Sequence, residues 1–174
     1  MSWIAIAIAI AAGLLIYGIV IYNRLVSLKN QALAAWSDID VQLKRRHDLI
    51  PKLIDAVKQY SAYEQATLSA VTELRVQSDL IKDPEEKGQL ESSLGRELHK
   101  LIAVAENYPD LKADQNFLSL QQDISGVERD IQHARRYYNG AIRLLNTRID
   151  SFPDLLIARL FGFHHGHYFQ IEEE

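Results

Sequence analysis

Residues 3 to 22 read WIAIAIAIAAGLLIYGIVIY, twenty side chains without a charge, and all 19 basic and 23 acidic residues of the 174-residue chain come after them. As a helix this run rises roughly 30 Å, the thickness of a bilayer's hydrocarbon core. Trp3 and Tyr22 stand at its two ends, where amphipathic rings favour the headgroup level. Only Met1 and Ser2 precede the run and Val20, Ile21 and Tyr22 close it, so it lacks the basic start and the small-residue site of a cleaved signal peptide. It reads as an uncleaved single-pass anchor over 1–22, followed by a soluble domain over 23–163 and a flexible His-rich and acidic tail over 164–174. The chain has no cysteine, which excludes a lipobox thiol and a disulfide scaffold.

The basic residues nearest the span, Arg24 and Lys29, lie on its C-terminal side. The positive-inside rule then places the soluble domain in the cytoplasm; a signal anchor inserted the other way would make it periplasmic. Ala5, Ala9 and Gly13 recur every fourth residue, a small-residue face on which a second helix can approach closely. The formal charge is −4, of which Glu172, Glu173 and Glu174 supply three, so nothing electrostatic argues for a nucleic-acid partner.

Beyond Asn23 the apolar pattern is helical throughout. A seven-residue, coiled-coil-like phase begins at Leu25 and recurs at Ala32, Ile39, Arg46, Leu53, Tyr60, Thr67, Leu74 and Ile81, running through Pro51, where a kink is expected. This predicts a first helix to about Ser78–Lys82. Asp83-Pro84-Glu85-Glu86 then reads as an N-cap with proline at the first helical position, opening a second helix that stops before Asn107-Tyr108-Pro109-Asp110. A third runs from about Asp114 to Ile149, and a short one follows Ser151-Phe152-Pro153. The fold class is all-α: an N-terminal transmembrane helix continuing into an elongated up-down-up antiparallel bundle with a short C-terminal helix.

The first helix beyond the membrane would have about 58 residues, roughly 87 Å, against roughly 35 Å for the second. That mismatch leaves a membrane-proximal stripe of Leu25, Leu28, Ala32, Ala35, Trp36 and Ile39 without obvious cover, and another copy of the chain is the simplest partner.

Charged residues enter the stripes at Arg46 in core phase, Glu64 one turn past Tyr60, and Glu128 and Arg135 flanking the third helix. They read as cross-helix ion pairs that set register; the sharper alternative is a polar site for a ligand or proton. Helical di-metal sites need Glu-x-x-His, and the segments Glu97–Lys100 and Glu128–Ile131 lack that histidine. His164, His165 and His167 form an H-H-x-H tract, but in a glycine-containing tail with no implied supporting shell, so no physiological metal or cofactor is assigned. No phosphate loop, cysteine nucleophile or triad context occurs, and no enzyme is expected.

Tyr22-Asn23-Arg24-Leu25, the run Ala35-Trp36-Ser37-Asp38-Ile39-Asp40 through Lys44-Arg45-Arg46-His47-Asp48-Leu49-Ile50-Pro51-Lys52-Leu53, then Tyr108-Pro109-Asp110-Leu111-Lys112-Ala113, Tyr138-Asn139 and Phe152-Pro153 resemble the LemA family of bacterial membrane proteins over nearly the whole chain. Tyr63 departs from the histidine often found before Glu64. The resemblance implies a single-pass membrane protein with a long helical bundle, no established enzymatic activity, and a magnetosome-membrane relative that points to membrane organisation. It also implies that Arg45, Arg46, Asp48 and Pro51 form a polar, kinked contact with the Tyr108–Ala113 link. The function expected is a self-assembling membrane scaffold. The alternative is a signalling or adaptor module relaying to another membrane protein.

Overall fold

One helix of 57 residues, α1 (Ser2–Lys58), carries both the apolar segment and the first bundle stripe. The computed structural model describes residues 2–59, 65–104 and 107–171. Along α1 the burial changes abruptly. Large apolar side chains from Ile4 to Val20 are 51% or more exposed, whereas Ile21, Leu25, Ala32, Ala35, Ile39 and Leu43 are buried at helical spacing. Pro51 lies on the exposed side of α1, where its missing N–H costs least, and the helix continues past it.

The first helix nevertheless does not reach residue 80. It ends at Lys58, and a separate helix, α2 (Gln65–Leu80), folds back along it. Asp79, near the end of α2, reaches His47 at 2.8 Å, eleven positions back from the end of α1, so the two run antiparallel. The seven-residue phase is weakest there, at Tyr60 and Thr67, both bearing hydroxyls. Phase alone does not distinguish a straight helix from a hairpin whose two arms face the same core.

α3 (Pro84–Val104) starts where its cap signal places it, with Asp83 Oδ1 accepting from the Glu85 and Glu86 amides at 3.0 and 3.2 Å. The link between the second and third predicted helices contains a helical turn, α4 (Pro109–Ala113), that buries Leu111. Asp114 then caps α5 (Gln115–Asp150), accepting from Asn116 and Phe117. α6 (Asp154–Leu160) follows, and Gly162, at φ 68°, turns the chain in the left-handed region that favours glycine.

α5 lies antiparallel along α1: Glu128 meets Arg46, Tyr137 meets Gln31, and Leu145 and Ile149 pack with Leu25. The outer end therefore holds four helices, α1, α2, α3 and α5, around Ile50, Leu53, Val57, Val71, Leu94, Leu98 and Phe117, where three were expected. Nearer the apolar segment, α5, α6 and the C-terminal residues cover α1.

Residues 164–171, expected as a flexible tail, are docked as an extended strap on α5. Asn139 and Asn146, seven residues apart and so on one face, each bracket a strap residue. Asn139 donates to the Phe169 carbonyl and accepts from its amide, both at 2.9 Å, and Asn146 does the same for Gly166 at 3.0 and 2.9 Å. The Tyr138 hydroxyl donates to the His167 carbonyl at 2.8 Å, and burial together with the Asp83 charge pushes that phenol up to about 12. Phe169 is fully buried against Trp36, with ring centroids 5.6 Å apart.

Candidate functional site: a buried ion network across the bundle

Arg46 projects from α1 into the middle of the bundle and is 1% exposed. Its guanidinium reaches three acceptors: the Glu91 carbonyl at 3.1 Å, the Glu91 carboxylate, and Glu128 Oε1 at 3.0 Å. Gly95 on α3 lies beside it, where a Cβ would make an ordinary contact with Nη1 at 3.7 Å. Only Nε of Arg46 has no partner. Burial works against the Arg46 charge, but Glu91 and Glu128 outweigh it and raise its pKa further.

Glu91 is the hub. It is fully buried and accepts from Arg46, from the Ser78 hydroxyl on α2 and from His47 Nε2 at 2.8 Å. Burial alone would raise its carboxyl. The His47 hydrogen bond, the Arg46 and His47 charges and the Ser78 hydroxyl overcome this and hold it at about 2. The other His47 nitrogen, Nδ1, lies 2.8 Å from Asp79, so both ring nitrogens face carboxylates. Lys87 adds a peripheral pair with Asp40 at 3.1 Å.

α1, α2, α3 and α5 are thus tied at one level by charged hydrogen bonds. The network's central carboxylate is buried and already accepts from Arg46, His47 and Ser78. A groove of about 400 Å³ runs alongside, lined by Arg46, Gly95, Arg96, His99, Glu128 and Arg135 among others.

Several assignments from sequence land elsewhere. Arg46 does not meet the Tyr108–Ala113 link; it meets α3 and α5, while Leu111 and Tyr108 pack with Ile50, Leu53 and Val57 one turn or more further along α1. Arg45 pairs with Asp130 at 3.5 Å at the surface, and Asp48 is exposed. Arg135 donates to the Ile171 carbonyl at 2.7 Å, so it anchors the strap. Glu64 lies outside the described residues. Leu25, Ala32, Ala35 and Ile39, expected to be open to another copy, are at most 4% exposed within this chain, and Leu28 and Trp36 are partly covered. The cover is α5, α6 and the strap, because a 36-residue α5 matches the length of α1 that the second helix cannot. The small-residue face of Ala5, Ala9 and Gly13 is exposed, with nothing within 4 Å of a Cβ built on Gly13.

The tail histidines diverge: His165 bonds Asp150 at 3.0 Å and His167 bonds Asp83 at 2.9 Å. Among the described residues no group of three or more His, Asp or Glu side chains is arranged to hold a metal ion. His47, Ser78, Asp79 and Glu91 are the residues that sequence reading missed. Of these only Glu91 had a signal, a second phase of α3 in which Lys87 and Glu91 continue Leu94, Leu98 and Leu101 at alternating steps of four and three.

The model of the LemA family matches residues 35–174. The chain is 30% identical over 156 residues to Protein LemA of Metamycoplasma hominis, an alignment covering 87% of this chain and 69% of that protein. It is 22% identical to the magnetosome protein MamQ 2 of Paramagnetospirillum magneticum and 21% identical to MamQ of Magnetospirillum gryphiswaldense, over 86% and 85% of this chain. The matched region spans 64% of each magnetosome protein, less than two thirds of its length.

Proposed function

The chain belongs to the LemA family, and we propose that it is a membrane-anchored helical-bundle scaffold that self-assembles at the bacterial inner membrane and serves membrane organisation or envelope function. The observation that carries this reading is α1. It is long and apolar enough at its start to cross a membrane, and it passes without a break into the bundle. The ion network and the strap hold the bundle rigidly to that helix, so the anchor orients the whole domain. That relatives are magnetosome proteins is in keeping with a role in membrane organisation. Arg24 and Lys29 favour a cytoplasmic bundle.

Self-assembly is assigned to the Ala5, Ala9 and Gly13 face, since the chain itself covers Leu25 to Ile39. A structural role is supported by Arg46, His47 and Glu91 bonding one another across the bundle. Light scattering of the full-length protein in mild detergent at micromolar concentration tests it. A mass that is a multiple of the 19.8 kDa chain is expected, falling toward one chain in Gly13→Ile. A wild-type monomer overturns the scaffold and leaves the adaptor alternative, to be pursued by crosslinking to other membrane proteins.

A further inference from the structure

We propose that α6 and the turn before it form a second membrane contact, an apolar patch of Phe152, Leu156, Leu160 and Phe161 that lies in the lipid interface beside the anchor. The inference rests on the anchor reading above. These four side chains are 81%, 58%, 75% and 57% exposed, an unusual concentration for ten consecutive positions of a bundle surface. Leu156 and Leu160 are one helical turn apart and share a face.

What selects lipid as the occupant is where the patch sits. Ile157, on α6, lies 3.6 Å from where a Cβ on Gly18 would be, and Ala158 is buried with Ile21 and Leu25. Gly18 is four residues inside the Tyr22 end of the apolar run, about 6 Å along a helix, which is the depth at which interfacial helices rest. Tyr22 also packs on Phe161 and Phe163, with ring centroids 4.8 and 5.8 Å away, so three aromatic rings gather at the expected headgroup level.

The polar groups of the segment are arranged to match. Asp154, the acidic residue of α6, is buried and bonded to Arg148 at 3.0 Å, away from the patch surface, while Arg159 and Arg24 are exposed. A bilayer that receives the anchor at Tyr22 meets this patch without any further movement of the chain.

The chain has no cysteine, so single cysteines report cleanly. Leu156→Cys and Leu160→Cys in the full chain, labelled with nitrobenzoxadiazole and reconstituted in phosphatidylcholine–phosphatidylglycerol vesicles, are read by spin-labelled lipid quenchers. Val20→Cys reports the anchor and Val76→Cys on α2 reports the outer bundle. Quenching of both α6 sites to within about two-fold of Val20→Cys, with Val76→Cys unaffected, is expected for a helix at that depth. Quenching at Val20→Cys without quenching at either α6 site overturns the second contact and leaves the anchor standing. No quenching at any site overturns both. Efficient disulfide dimerisation of unlabelled Leu160→Cys in vesicles, with its labelled form unquenched, also overturns the proposal by giving the patch to a second copy.

Discussion

Arg46 shows how one residue settles the interior of a helical bundle. A charge in core phase is costly by itself, and here its cost is offset by two carboxylates from two other helices. Arg46→Met leaves Glu91 buried beside His47 with its main counter-charge gone, and should destabilise the fold by about 3–5 kcal/mol in thermal melts of the detergent-solubilised protein. Replacing Glu91 by leucine in the same background should recover part of that loss, because an apolar core requires no pairing. The pH response follows from Glu91. Its folded value of about 2 lies below the ordinary carboxylate value, so its stabilisation is complete above about pH 4.5 and fades as pH falls toward 2. Melting temperature should therefore drop across that interval in the wild type, and Glu91→Gln should flatten the drop while lowering stability at neutral pH. Arg46 stood out in the sequence because it interrupts a strong apolar phase. Glu91 did not, because Leu90, Leu94, Leu98 and Leu101 already read as a complete apolar stripe without it.

At the scale of the element, the strap is the instructive case. Composition marks residues 164–171 as loose chain: glycine, histidine and few apolar residues. They are held instead by two asparagine amides spaced for one face of α5, which satisfy backbone groups as a neighbouring strand would. Asn139→Ala strips both partners from Phe169 and should cost about 1–3 kcal/mol, seen as faster hydrogen exchange at the Phe169 and Gly166 amides. Gly88→Ala gives a sharper test. Alanine favours a helix by about 1 kcal/mol over glycine, yet a Cβ at Gly88 would stand 2.3 Å from the Gln170 carbonyl oxygen, which is backbone and cannot swing aside. The clash should prevail, releasing the strap while helical content by circular dichroism stays unchanged. Helix starts, by contrast, were legible, since Asp83 and Asp114 act locally on amides two and three residues away.

For the molecule as a whole, the length argument that left Leu25 to Ile39 bare compared the first helix only with the second. α5 is the partner that matters, and the strap and α6 complete the cover. Leu25→Ala should therefore act on the folding of each chain, at about 2–5 kcal/mol in a melt, without changing the scattering mass. Gly13→Ile should do the reverse, changing mass and leaving the melt in place. The pair separates a core position from an assembly position, which stripe periodicity by itself treats alike.

What the sequence determined is whatever depends on neighbours along one helix: the charge-free span and its aromatic ends, the all-helical class, the cap at Asp83, the helix start near Asp114, and the anomaly of Arg46 in a core phase. What only the tertiary structure decided depends on which faces meet. The seven-residue phase is the same for a straight helix and a hairpin, so the reversal between Lys58 and Gln65 is set by packing. The pairing of Arg46 with Glu91, 45 positions away, and the seating of Phe169 on Trp36 are likewise contacts between segments that no local spacing specifies. Burial energy rewards any apolar face that finds another, and the chain's register of charges and amides selects one arrangement from among them.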